Sequence, residues 1–138
     1  MSGPYKGIRV LELTSTVSGP YAGMMLADQG ADVIKIEPPG IGDLARFMGT
    51  IKDGMGAMFS TLNRNKKCIC LDFKNDEDLE VFFKLVSTAD VVIENYRPGI
   101  VKKLGIDYES LKQIKPDLIY CSISGYGQSG PYKEKKVY

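Results

Sequence analysis

Five short apolar runs rich in β-branched residues punctuate the chain, at residues 8–13, 32–36, 68–71, 90–93 and 118–123. Each ends near a polar residue or a glycine, which predicts five strands. Helix-like or loop-like stretches separate them. That alternation predicts an α/β fold, a mostly parallel five-stranded sheet with helices on both faces. Residues 18–30 form the first crossover, with Pro20 at a first-turn position and Gly30 as a stop. The strongest helical period lies over 76–88, where Leu79, Phe82, Phe83 and Val86 recur at i, i+3, i+4 and i+7 behind acidic residues, with Asn75 placed to cap. Shorter helices are predicted over 57–63, 99–104 and 108–114, the last stopped by Pro116. Residues 38–43 read as a turn, and no repeat or linker divides residues 1–138, so one domain is expected.

Composition narrows the function classes. Eighteen basic against seventeen acidic residues leave no net field to recruit nucleic acid or an anionic membrane. No apolar run approaches the ~20 residues that a membrane helix needs. The N-terminus enters a strand-like segment without a signal-peptide apolar region, so a cytoplasmic or organelle-matrix location is expected. The absence of histidine removes the commonest general base and neutral metal ligand. Cys68, Cys70 and Cys121 have no metal-ligand spacing and read as buried free thiols. No metal site is expected.

In open α/β sheets, ligands bind beyond the carboxyl ends of the strands. The rule selects the loops 14–20, 37–40, 72–74, 94–99 and 124–131. Residues 125–130 spell G-x-G-x-x-G but follow the last strand and meet Pro131, the wrong context for a dinucleotide fingerprint. Asp43 and Asp72 are explained by turn stabilisation and capping. Basic residues cluster at Arg64, Lys66 and Lys67, at Lys74, at Arg97, Lys102 and Lys103, and at Lys133, Lys135 and Lys136. Most flank the selected loops, interleaved with Tyr96, Tyr132 and Tyr138. Cations beside aromatic rings suit a phosphorylated adenine cofactor, whose phosphates need charge-assisted hydrogen bonds and whose base needs a stacking face.

The segments 7–13, 18–27, 30–37, 42–43, 63–67, 89–99 and 124–132 resemble, in order and at near-constant spacing, the N-terminal motifs of the family III CoA-transferases (the CaiB/BaiF family), which also includes α-methylacyl-CoA racemases. The resemblance implies a Rossmann-like domain that binds coenzyme A or acyl-CoA, and an interlocked homodimer in full-length relatives. Carried over by position, it implies that Val17 and Ser18 meet the cofactor from the first turn. Leu71, Asp72, Phe73 and Lys74 would line the adenosine end, and Asn95, Tyr96 and Arg97 would border pantetheine and phosphates. Lys103 and Lys136 would be phosphate partners, with Tyr138 near the thioester.

Pro38 stands where formyl-CoA transferases carry an arginine, which argues against that specificity. The family's transferases move CoA between an acyl-CoA and a carboxylic acid by attack of an aspartate on the thioester, a form of covalent catalysis. The resemblance places that aspartate beyond residue 138, so no catalytic residue is assigned here. Tyr138 occupies the racemase histidine's position. Two alternatives stand beside the transferase reading: a stand-alone CoA or adenine-nucleotide binding module, and a fragment of a racemase.

Overall fold

The computed structural model describes residues 2–137. Its central sheet takes β1 (Arg9–Leu13), β2 (Asp32–Glu37), β5 (Lys67–Cys70), β6 (Val91–Glu94) and β7 (Ile119–Ser122) in the order β5-β2-β1-β6-β7, every neighbouring pair parallel. The chain builds outward from β1 through β2 to β5, then crosses back to lay β6 on the other side of β1. The order therefore reverses between β1 and β6, the point at which doubly wound sheets open a crevice for ligands.

Strand alternation sends two sets of side chains to opposite faces. Leu11, Leu13, Ile34, Ile36 and Val92 pack with Phe82 and Val86 of α3 (Asp76–Val86), Val101 of α4 (Ile100–Lys103) and Leu111 of α5 (Tyr108–Leu111). Val10, Val33 and Ile93 pack on the other face against Ala27 of α1 (Ser18–Asp28). Each fully buried Val, Leu or Phe contributes ~1.5–3 kcal/mol. α3 begins and α1 ends where the local chemistry predicts, whereas α5 stops at Leu111, short of the expected 114. Asn75 accepts a hydrogen bond from the Glu77 amide at 2.8 Å, and Gly30 takes φ 100° to turn the chain out of α1.

Two expectations change. Cys68, Cys70 and Cys121 are exposed, not buried. They sit on β5 and β7, the two edges of the sheet. The stretch after the 38–43 turn also holds more structure than its loose pattern suggests. A 3-10 turn over Leu44–Phe47 leads into a small hairpin of β3 (Ile51–Lys52) and β4 (Met55–Gly56), then α2 (Ala57–Leu62). Asp53 and Gly54 form its two-residue turn with φ 50° and 77°, the left-handed pair typical of Asp-Gly hairpins.

Candidate functional site

Beyond the carboxyl ends of the strands runs a groove with two connected parts. One, of about 270 Å³, is walled by Leu13 at the end of β1 with Thr14 and Ser15 after it, Glu37 at the end of β2 with Pro38 after it, Gly42 and Asp43, and Asn95, Tyr96 and Arg97 after β6. The other, of about 140 Å³, continues past Pro38 and Tyr96 to Leu71, Asp72, Phe73, Lys74 and Leu104. The first part spans the β1/β6 reversal. The second has an apolar floor, with Lys74, Asp72 and Glu37 as its charged lining residues.

Beneath the groove the α1 face of the sheet is charged. Alternation that puts Val10 and Val33 against α1 puts Glu12, Lys35 and Glu37 on the same side, farther along the strands. The Lys35 ammonium donates to Glu12 Oε1 at 3.0 Å and the Thr14 carbonyl at 2.8 Å, and lies 2.8 Å from Asp43 Oδ2. Lys66 reaches Glu12 Oε2 at 2.7 Å and donates to the Pro20 carbonyl and Asn63 Oδ1, both at 2.8 Å. Arg46 grips Glu37 with two hydrogen bonds of 2.7 Å. Three acids and three bases thus balance with no net charge. Burial taken alone would raise the Glu37 carboxyl, yet the Arg46 guanidinium and the Asp43 amide hold it below its ordinary value. Burial likewise opposes ionisation of Asp43, and its Lys35 contact with the Ala45 and Thr16 amides carries it lower.

Glu94 contrasts with these. It is buried at the end of β6, accepts from the Tyr96 amide at 2.8 Å and from the Ser122 hydroxyl, and its carboxyl is pushed up by burial. Tyr96 is raised by burial and by the nearby Glu94 charge.

The residues assigned by resemblance separate into two groups. Leu71, Asp72, Phe73, Lys74, Asn95, Tyr96 and Arg97 line the groove together. Val17 and Ser18 stand exposed at the start of α1, where Ser18 Oγ lies 3.5 Å from Asn95 Nδ2. Lys103, exposed on α4, and Lys136, exposed in the terminal segment, are not among the groove's lining residues. Tyr138 lies outside the described residues. Asp72 does serve its turn, accepting from the Lys74 amide at 3.0 Å. Thr14, Ser15, Glu37 and Pro38, from loops that the strand-end rule selected, also line the groove, as do Leu13, Ile36, Gly42, Asp43 and Leu104, which lie outside those loops. The available signal was a charged residue set between apolar neighbours in each of two strands, Glu12 in β1 and Lys35 in β2.

The family model for CoA-transferase family III matches residues 5–138. The chain belongs to that family. It is 49% identical over 138 residues to the succinate–glutarate CoA-transferase of Agrobacterium fabrum, covering 95% of this chain and 34% of that protein. With the acetyl-CoA:oxalate CoA-transferase of Acetobacter aceti the identity is 44% over 136 residues, 99% of this chain and 35% of that protein. The crystal structure of a CaiB/BaiF family protein from Brucella suis superposes with a TM-score of 0.93 at 46% identity, over all of this chain and 38% of that one. The chain thus spans about a third of the length of the curated relatives it matches, and corresponds to the N-terminal portion of a family III CoA-transferase.

Proposed function

We propose that this segment is the coenzyme A-binding part of an enzyme that transfers CoA between an acyl-CoA and a carboxylic acid. The observation that carries the reading is the groove. It joins the loops after β1, β2, β5 and β6 at the reversal of strand order, with Lys74 and Arg97 at its rim. In this reading the adenine lies in the part floored by Leu71, Phe73 and Leu104, where the side chains offer apolar area and an aromatic edge. Lys74 and Arg97 supply charge-assisted hydrogen bonds to phosphate oxygens. Asn95 and Tyr96 border the pantetheine arm as it crosses toward β1. The first turn of α1 follows the carboxyl end of β1, and Val17 precedes it without a side-chain cap, so no acid of that turn opposes an anion there.

The transferase reading is preferred to the racemase one because the relatives just described are named as CoA-transferases. The nucleophilic carboxylate of the family's transferases is not assigned to any of these residues. Among the described residues no helix is long and apolar enough to cross a membrane, and the reading places the protein in the cytoplasm or an organelle matrix. The homodimer belongs to the same proposal. An exchange assay tests it: the intact protein, given an acyl-CoA and a free dicarboxylic acid, forms the new acyl-CoA. Exchange absent for succinyl-, acetyl-, oxalyl- and formyl-CoA donors alike, in a protein that binds CoA, would leave binding without transfer.

A further inference from the structure

Asp43 is 1% exposed and belongs to no strand, yet it is the most heavily contacted acid in the turn after β2. Its Oδ1 accepts from the Ser15 hydroxyl at 3.0 Å, from the Thr16 amide at 2.9 Å and from the Ala45 amide at 2.9 Å. Its Oδ2 lies 2.8 Å from the Lys35 ammonium, itself wholly buried. Only one of these contacts, to Ala45, serves the local 3-10 turn. The other three reach across to the loop after β1 and to β2.

Thr16 has φ 72°, the left-handed region, where a β-branched residue is strained. Something must hold it there. Asn95 clamps the neighbouring residue from the other side, accepting from the Ser15 amide at 3.0 Å and donating to the Ser15 carbonyl at 2.9 Å. Ser15 is therefore fixed on both sides, but the Thr16 amide has Asp43 as its acceptor. Lys35 holds the carboxylate in place and makes it the stronger acceptor, since hydrogen bonds to an ionised group are about twice as strong as neutral ones.

We infer that Asp43 is a positioning residue for the groove: tethered by Lys35, it holds Thr16 left-handed and thereby sets how Ser15, Val17 and Ser18 meet the ligand. The ligand's identity as CoA rests on the function proposed above; the hold on Thr16 does not. Asp43→Asn keeps an amide acceptor but removes the charge and leaves Lys35 one counter-ion short. Thr16→Gly makes the left-handed conformation available without strain, because glycine occupies it freely.

The test combines both in the intact protein, reading CoA affinity by calorimetry and the Thr16 amide by hydrogen exchange. Asp43→Asn is expected to weaken CoA about tenfold, the effect of releasing strain of this size, and to speed Thr16 exchange by a similar factor. The double variant Asp43→Asn/Thr16→Gly is expected to recover most of the affinity while remaining less stable than wild type, a rescue that a purely stabilising role for Asp43 would not give. Wild-type affinity and wild-type Thr16 protection in Asp43→Asn would overturn the inference, as would a double variant no better than the single one. If the wild-type protein itself binds no CoA, the cofactor reading fails, and Thr16 exchange alone decides: faster supports the hold, unchanged rejects it. Should Asp43→Asn not fold, Ser15→Ala keeps every buried charge and removes one anchor of the turn. Faster Thr16 exchange in that variant supports the inference, and unchanged exchange contradicts it.

Discussion

Glu12 and Lys35 stand directly opposite each other on β1 and β2, with Nζ 3.0 Å from Oε1 and both side chains wholly buried. A lone pair in such a place repays its desolvation poorly. Here each partner has a second opposite charge, Lys66 for Glu12 and Asp43 for Lys35, and the remaining ammonium protons go to carbonyl and amide oxygens. The pair thus ties the sheet to α1, to the stretch after α2 and to the turn that walls the groove.

Lys35→Met removes the central cation and leaves Asp43 buried without one. Loss of one member of a buried ion network costs about 3–5 kcal/mol. Urea denaturation of the variant is expected to show a loss of that size with the slope unchanged, and a loss below about 1 kcal/mol would mean that the network contributes little.

Gly23→Ala has an unusual expected sign. Within a helix the change ordinarily stabilises by up to about 1 kcal/mol. At this position an added Cβ would run into the Glu12 carboxylate and come within 3.3 Å of Lys66 Nζ. The prediction is destabilisation by about 1–3 kcal/mol, the usual cost of overpacking, seen as a lowered thermal midpoint. A raised midpoint would show that the helix shifts away from β1 easily.

Glu94 and the pair Glu37 and Asp43 set opposite pH trends. The folded-state pKa of Glu94 is raised, so in the window above its unfolded value of 4.5 folding binds more protons than the unfolded chain, and stability falls as pH rises. Glu37 and Asp43 are lowered, so their contributions are present above the unfolded values of 4.5 and 3.8 and vanish as pH falls through the folded ones. Glu94→Gln keeps an acceptor for the Tyr96 amide and turns an amide donor toward the Ser122 hydroxyl, which in the wild type donates to Glu94. It is expected to stabilise at neutral and alkaline pH and to change little below pH 4, which a pH series of thermal midpoints would show.

How much of this was legible in the chain varies by element. β1 and β2 follow from short apolar runs rich in β-branched residues, because a central strand buries both faces, and α3 follows from period 3.6, because it buries one. The β3–β4 hairpin is only two residues per strand, too short to show a period, and its one signal was the Asp53-Gly54 dipeptide. The cysteines look like core residues in sequence, but their exposure depends on β5 and β7 being edges, a matter of strand order that no local pattern encodes. Leu71 to Lys74 and Asn95 to Arg97 were reachable through the strand-end rule together with the family resemblance. The buried network was not. A charge inside a short apolar strand reads equally well as an outward-facing residue until the register places Glu12 against Lys35 and α1 covers both.

Lys74→Ala and Arg97→Ala probe the rim of the groove. Each is expected to weaken CoA binding about tenfold by loss of a charge-assisted bond, and to flatten its dependence on salt because one fewer cation meets the phosphates. Lys136→Ala, outside the lining residues, separates the groove from the terminal segment as the phosphate's partner: a loss equal to that of Arg97→Ala would move the phosphates away from the rim.

The central claim is that the groove across the β1/β6 reversal binds coenzyme A, and calorimetric titration of CoA into the intact protein tests it most directly. Saturable heat, reduced in both Lys74→Ala and Arg97→Ala, is the predicted result. No heat and no thermal shift at millimolar CoA, from a protein shown to be folded, would contradict it.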